Sequence, residues 1–405
     1  MKIRILIIHQ DGLLTGSAKS LVYLLKGLDK SKFELHVIVG GPGPLAEVLG
    51  KEGYKVSFCK VHGFWTAPGP KWYRPGALKN VLALVRNKSI VPLVRKFRPD
   101  IIHLNDKALI GVGLRLRHLG IPIVQHLRST YQATHIRLFK WISKRIIRTY
   151  ASLLIAISED EADEFDDFKS KVVIFNSMDV LGVRRDAGNA ARIRQSLGIS
   201  LDEKMILFIG LFTRTKGAWD FVDMVGYFKK NFGASGHKFV MAGPLPMKSG
   251  GLLRGMLGKL FPEEAAKFES KLRQNQIGNE VIFPGYLENI LDVIESADVA
   301  VVCNRLGAMG RQAFEVLAVG TPLVITGGHS GKSTIVENGK NAVVVKAGDP
   351  EGMAIHLKKL LDNSSMQEQL TMNGKKHAQS CFDFKANGRL LEREYLKLWE
   401  RTGIR

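Results

Sequence analysis

Short apolar runs recur along the whole chain, and between them apolar positions return every three or four residues. A short run bounded by turn residues fits a strand buried on both faces, and the intervening spacing fits a helix lying over it. In the first half the strand-like runs are Ile3 to Ile8, Glu34 to Val39, Lys55 to Cys59, Asp100 to Leu104, Pro122 to His126, Leu153 to Ala156 and Lys171 to Ile174. Ser17 to Leu28 and Val81 to Phe97 are among the helical stretches. In the second half Met205 to Ile209, His237 to Ala242, Val281 to Phe283, Val299 to Val302, Pro322 to Thr326 and Asn341 to Val345 repeat the pattern. Two such series predict two doubly wound α/β domains, each a parallel sheet covered by helices.

The periodicity lapses between Asn176 and Ala191, where Gly182, Gly188 and several charges cluster. This predicts an N-terminal domain over residues 1–180, a C-terminal domain over 181–385 and a last helix over 386–405, where ANGRLLEREYLKLW has helical spacing. A chain of 405 residues is long enough for two cores of ordinary size.

Composition excludes several classes. No apolar run approaches the roughly 20 residues of a membrane span, and ILII at the start is too short for a signal-peptide core, so a cytoplasmic location is expected. Cys59, Cys303 and Cys381 are far apart, which suggests neither a disulfide framework nor a cysteine metal site. The net charge of +21 is concentrated: residues 1–158 carry 26 Lys and Arg against 7 Asp and Glu. Such a half should attract a polyanion or an anionic membrane surface.

The loop HQDGLLTGSAKS places Gly12 and Gly16 before a helix starting near Ser17. Glycine there lets backbone approach a ligand, although a tight strand-to-helix turn also favours it. In FIGLFTRTKG, Lys216 next to a helix start is placed to neutralise a diphosphate, or is simply a solvated lysine. Arg214 is a second cation in the same loop. His103 and His126 close two predicted parallel strands, at the edge where open α/β sheets place ligands, although a lone histidine is as readily structural. GGHSGKST, from Gly327 to Thr334, is not a phosphate loop, because Thr326 stands where the motif needs its first glycine. No Asp-X-Asp triplet and no zinc-type His/Cys spacing occurs, so metal-independent chemistry is expected.

The most informative stretch is CNRLGAMGRQAFEVLAVGTPLVIT, from Cys303 to Thr326. It follows a strand with a glycine-containing loop, then a helix with one carboxylate, Glu315, then Gly-Thr-Pro opening another strand. Loop amides and a helix N-terminus suit an oxygen-rich anion, and a carboxylate one turn in can accept from sugar hydroxyls. The pattern points to a nucleotide-sugar site.

On these residues the chain resembles the retaining family 4 glycosyltransferases of GT-B fold. In that family the segment reads Glu, seven residues and a second Glu, then Gly-Lys/Thr-Pro-Val. Gly310, Arg311, Glu315 and Gly320-Thr321-Pro322 match, while Gly307 stands at the first Glu. DIIHLN, LLIAISEDE, KVVIFNSMD and VIFPGYLENI extend the likeness over nearly the whole chain. The resemblance implies two Rossmann-like domains facing across a cleft, with the last helix packing back on the N-terminal domain. It implies catalytic roles for His126 and Glu315. Gly16, Arg214, Lys216, Tyr286, Gly307, Ala308, Met309, Gly310 and Glu315 would bind the nucleotide sugar, with Glu315 on the ribose and Lys216 on the diphosphate. The donor would be a UDP- or GDP-type sugar, with no other cofactor and no metal, and a hexosyl or N-acetylhexosaminyl group would be transferred with retention of configuration.

From Ile136 to Tyr150, Arg137, Lys140, Trp141, Lys144, Arg145 and Arg148 interleave with Leu138, Phe139, Ile142, Ile146 and Ile147. As a helix this suits a membrane surface, or else a core-facing helix with a basic solvated side. The stretch PKWYRPGALKNVLALVRNKSIVPLVRKFRP adds to the membrane reading. The expected partners are a nucleotide sugar, a lipid-linked glycan acceptor and the anionic inner membrane surface, in lipopolysaccharide or capsule assembly, with the protein peripheral at the inner face of the cell membrane. Nucleic acid is not expected, because no binding module is recognisable. Gly307 leaves one alternative, a non-catalytic relative that binds sugar nucleotide or membrane as a scaffold.

Overall fold

A computed structural model describes residues 2–64, 82–131, 137–183, 186–243, 262–287, 289–305, 310–326, 334–401 and 403. The chain forms two compact units, Met1–Asp179 with Cys381–Arg405, and Val180–Ser380.

The first unit holds β1 (Ile3–His9), β2 (Phe33–Val39), β3 (Lys55–Phe58), β4 (Ile101–Leu104), β5 (Ile123–Leu127), β6 (Ala151–Ala156) and β7 (Lys171–Val173), in the order β3-β2-β1-β4-β5-β6-β7. The second holds β8 (Lys204–Ile209), β9 (His237–Ala242), β10 (Val281–Gly285), β11 (Val299–Val302), β12 (Leu323–Thr326) and β13 (Val343–Val345), in the order β10-β9-β8-β11-β12-β13. All of these pairings are parallel. Each predicted strand is present, because runs such as Ile5–Ile8 and Met205–Phe208 are buried on both faces and have no polar side to offer water. In each sheet the chain builds outward on one side, then returns past its first strand. The switch points fall between β1 and β4 and between β8 and β11.

The same device pins both switch points. Asp100, just ahead of β4, accepts from the Arg4 amide at 2.7 Å, and its own amide donates to the Arg4 carbonyl at 2.8 Å. Asp298, just ahead of β11, accepts from the Met205 amide at 2.8 Å and donates to its carbonyl at 2.9 Å. Lys204 and Arg194 hold the Asp298 carboxylate, each at 3.1 Å. A carboxylate that fills a ladder position in this way fixes the register of the two strands.

The stretch from Val81 to Phe97, expected as one continuous helix, is interrupted. Residue 81 lies outside the described residues, residues 82–83 are helical, and the helix breaks at 84–86 before a short 3-10 turn at Asn87–Ser89 and the helix Ile90–Phe97. Pro92 cannot follow a regular helix from upstream, because its ring collides with the carbonyl four residues back. Asn87 also turns inward, donating to the Ala83 carbonyl and bonding both backbone groups of His62.

The last helix, Phe384–Arg401, packs on helix Gly16–Lys26 within the first unit. The two backbones meet at Gly27 and Gly388, where a Cβ on Gly388 would overlap the Gly27 carbonyl. Leu391, Tyr395 and Leu398 share a core with Ile5, Ile7, Leu35 and Val37 of β1 and β2. The last helix is thereby part of the first hydrophobic core.

Replacing Asp298 by alanine leaves the buried Met205 amide without its acceptor. Urea unfolding should show a loss of about 1.5–3 kcal/mol, the worth of a hydrogen bond to a charged group, confined to the transition of the second unit.

Candidate functional site

Open parallel sheets bind ligands outside the carboxyl ends of their strands at the switch point, where two loops diverge and leave a crevice. In the second unit the loop after β8 and the loop after β11 flank that point. Gly217 ends the first of these loops at φ +69°, and a Cβ on it would overlap the Cys303 backbone at the end of β11. Only glycine allows this approach. Arg305 ties the loops further, its amide donating to the Thr215 carbonyl at 3.2 Å and its guanidinium gripping Asp220 with two bonds, Nε to Oδ2 at 2.7 Å.

Asp220 is buried in the first turn of helix Ala218–Phe232, so Arg305 cancels a negative charge that would oppose an anion there. Lys216 is half-buried and makes no hydrogen bond or ion pair among the described residues. Burial holds its pKa below the ordinary lysine value. A desolvated ammonium beside a helix N-terminus is placed for a phosphate oxygen. Arg214 is exposed and lies over the Trp219 ring, 5.8 Å from its centroid.

The loop after β11 opens helix Arg311–Val319, with Gly310 as N-cap. Glu315 is buried, one carboxylate oxygen held by Arg311 Nε at 2.7 Å, and Oε2 takes no bond among the described residues. That oxygen can accept from hydroxyl groups. Gly307, Ala308 and Met309 lie outside the described residues, as do residues 327–333 of the GGHSGKST segment. Tyr286 is exposed just past β10, farther along the same sheet edge, where Gly285 turns the chain at φ +84°.

In the first unit Gly16 is exposed and opens helix Gly16–Lys26. The glycine demanded by packing is Gly12, where a Cβ would press on the carbonyls of Gly41 and Pro42. His126 ends β5, buried in a hydrogen-bonded cluster that spans the ends of β1, β4 and β5. Its Nδ1 lies 3.2 Å from His103 Nε2 and 3.4 Å from Arg128 Nη2. His103 Nδ1 lies 2.6 Å from the Tyr395 hydroxyl. Arg128 also donates to Asn105 Oδ1 at 2.9 and 2.7 Å and to Asn176 Oδ1 at 2.9 Å, and Asn105 Nδ2 reaches His9 Nδ1 at 2.9 Å. Lys107 holds the chain that follows, donating to the carbonyls of Ser129 and Thr130 over the Tyr131 ring.

Sequence reasoning picked out His126 and His103 but missed His9, Asn105, Arg128, Asn176 and Tyr395. Asn105 and Arg128 each stand two residues after a strand-ending histidine, in HLN and HLR, a repeated signal that was there to be read. Tyr395 lies nearly three hundred residues from its partner and had none.

On the helix Arg137–Arg148 the cations divide. Arg148 pairs with Asp167 at 3.0 Å, Lys140 lies 3.8 Å from Glu164, and Lys144 leans over Phe165 at 5.2 Å from the ring centroid. Arg137, Leu138, Trp141 and Arg145 remain exposed on one stripe, with Arg145 over the Trp141 ring. Among the described residues no helix is long and apolar enough to cross a membrane.

Burial, and then the Arg128 charge, lower the pKa of His9 and of His103 to about 3. Between about pH 3 and 6.5 the unfolded chain therefore binds more protons than the fold. The stabilisation is complete above pH 6.5 and is lost as the pH falls towards 3, by up to about 1.4 kcal/mol per pH unit for each ring. Urea midpoints measured across this range should fall accordingly, with a shallower slope in His103→Gln.

A Glycosyltransferase Family 4 domain matches residues 14–180, and a Glycosyl transferases group 1 domain matches residues 189–377. An uncharacterized glycosyltransferase of Methanocaldococcus jannaschii is 27% identical over 293 residues, which is 68% of this chain and 70% of that protein. A lipopolysaccharide core biosynthesis glycosyltransferase of Rhizobium meliloti is 24% identical over 138 residues, 34% of this chain and 39% of that protein. The solved structure of Anabaena HepE in complex with UDP-glucose shares the fold, with a TM-score of 0.76 at 18% identity over 98% of this chain and 100% of that one. With its two halves matched in turn, the chain belongs to the glycosyltransferases, a Family 4 domain followed by a group 1 domain on the paired Rossmann-like units of the GT-B fold.

Proposed function

We propose that this protein transfers a sugar from a UDP- or GDP-type donor to a lipid-linked glycan acceptor, with retention of configuration and without a metal, in cell-surface polysaccharide assembly. The observation that carries the reading is Lys216, a desolvated ammonium with no partner among the described residues, in the loop at the switch point of the group 1 domain. Lys216 and the N-terminus of helix Ala218–Phe232 would take the diphosphate and stabilise it as it leaves. Glu315 Oε2 would accept from the ribose hydroxyls. Residues 307–310 would offer backbone amides to the donor sugar, Arg214 a second charge, Tyr286 a contact near the base, and Gly16 and His126 contacts from the Family 4 domain. The UDP-glucose bound by Anabaena HepE and the lipopolysaccharide role named for the Rhizobium relative support a nucleotide-sugar donor and a glycan acceptor. The stripe of Arg137, Leu138, Trp141 and Arg145 would seat the enzyme on an anionic membrane at the inner face of the cell, bringing it to a lipid-borne acceptor.

A second reading rests on Gly307, which replaces the first Glu of the family pattern. A protein without that carboxylate that binds sugar nucleotide and does not turn it over would be a scaffold. Turnover that disappears in Lys216→Ala and Glu315→Ala excludes it.

A thermal-shift panel of UDP, GDP, CDP and ADP with their sugar conjugates tests the donor site. One nucleotide at about 100 times its dissociation constant should stabilise by about 2.7 kcal/mol, and Lys216→Ala should lose the shift. No shift with any of them in the wild type rejects the reading. Flotation with anionic liposomes tests the membrane stripe. Binding should weaken as salt rises and fall about tenfold in Leu138→Ser/Trp141→Ser, and indifference to lipid charge would reject it.

A further inference from the structure

The cluster at the ends of β1, β4 and β5 has a direction. An arginine side chain has only donors, so the approach of Arg128 Nη2 makes His126 Nδ1 an acceptor. His103 Nε2, 3.2 Å from the same nitrogen, then carries the proton. A neutral His103 protonated at Nε2 has its lone pair at Nδ1, and Tyr395 donates its hydroxyl there. The reverse order would set two donors against each other at Arg128 and leave the Tyr395 hydroxyl proton without an acceptor in the cluster. His9 obeys the same rule. Arg128 occupies Asn105 Oδ1, so the Asn105 amide nitrogen faces His9 Nδ1, and the His9 proton sits on Nε2.

One group is left over at the end of the chain. His126 is 1% exposed, yet among the described residues its buried Nε2 has no hydrogen-bond partner, and neither does His9 Nε2. A buried N–H without an acceptor is costly, and a ligand oxygen would satisfy it. A ring with a proton on Nε2 and its lone pair engaged by His103 offers no base at Nε2.

We infer that His126 serves as a neutral hydrogen-bond donor through Nε2, for a hydroxyl or phosphate oxygen of the substrate, and that Tyr395 of the last helix is a positioning residue acting on it through His103. The placement of this donor at a substrate rests on the proposed sugar transfer, and the direction of the relay does not. The last helix thereby does more than cover the core: its hydroxyl supplies the first proton of a relay running Tyr395 to His103 to His126, with Arg128 as the polarity marker.

The experiment uses the full-length protein with 15N-labelled histidine. Long-range 1H–15N correlation at pH 7, assigned with His103→Gln and His126→Gln, should show both rings neutral and protonated at Nε2. A proton on Nδ1 of either ring overturns the inference. Tyr395→Phe keeps the packing and removes the donor, so the Nδ1 signals of His103 and then of His126 should both move. An unmoved His126 signal would reduce Tyr395 to a packing residue. The substrate arm compares turnover of His126→Gln, whose amide N–H stands near the position of Nε2–H, with His126→Leu. A donor role predicts that Gln retains turnover within about tenfold while Leu loses at least a further tenfold. Equal loss in both overturns the donor role. Absence of turnover in the wild type with every nucleotide sugar would strike the proposed function and leave the tautomer result standing.

Discussion

The parallel pairing of the two strands across each switch point is the constraint on which both units depend. Once β1 lies against β4, and β8 against β11, the loops that leave their carboxyl ends must diverge, and a crevice opens between them. Asp100 and Asp298 hold that pairing from the opposite end of the strands, each acting as an extra rung of the ladder. A slip of one residue would turn every buried side chain of β4 or β11 to the other face and carry His103 or Cys303 away from its neighbours.

The two crevices are built on opposite electrostatic plans. In the second unit a charge is left over: Arg305 neutralises Asp220, and Lys216 remains as a desolvated cation beside a helix N-terminus. In the first unit the charge of Arg128 is spent inside the protein, suppressing protonation of His9, His103 and His126 and orienting their rings. Burial alone would already disfavour the imidazolium forms. The guanidinium adds a direction, because it can only donate. The buried Nε2 positions of His9 and His126 in the first unit therefore carry N–H, whereas the second unit presents an ammonium and a carboxylate oxygen.

Much of the fold was legible because a strand buried on both faces leaves an unmistakable mark, and the central runs such as Ile5–Ile8, Ile101–Leu104, Met205–Phe208 and Val299–Val302 carry it, while the edge strands Lys55–Phe58 and Lys171–Val173 are only partly buried. Where legibility failed, a local conflict was responsible. Val81 to Phe97 has helical spacing throughout, but Pro92 and the inward-turned Asn87 divide it. At the candidate site the single residues that stood out were those whose chemistry is conspicuous alone, such as Lys216, Glu315 and His126. Their partners were less visible, because Arg305, Asp220, Asn105 and Arg128 become meaningful only when paired.

By itself the sequence determined the two parallel sheets, the carboxyl edge on which ligand-binding groups would fall, and the basic character of the first half. Each follows from local periodicity or from a sum over residues, and neither depends on which side chain meets which. Tertiary structure alone decided that Tyr395 reaches His103, that Arg128 sits among three histidines, and that Lys140, Lys144 and Arg148 meet Glu164, Phe165 and Asp167 while Arg137, Trp141 and Arg145 stay exposed. Those outcomes depend on contacts between residues far apart in the chain, where proximity is created by closing the sheet and docking the last helix, and no spacing rule along the chain encodes it.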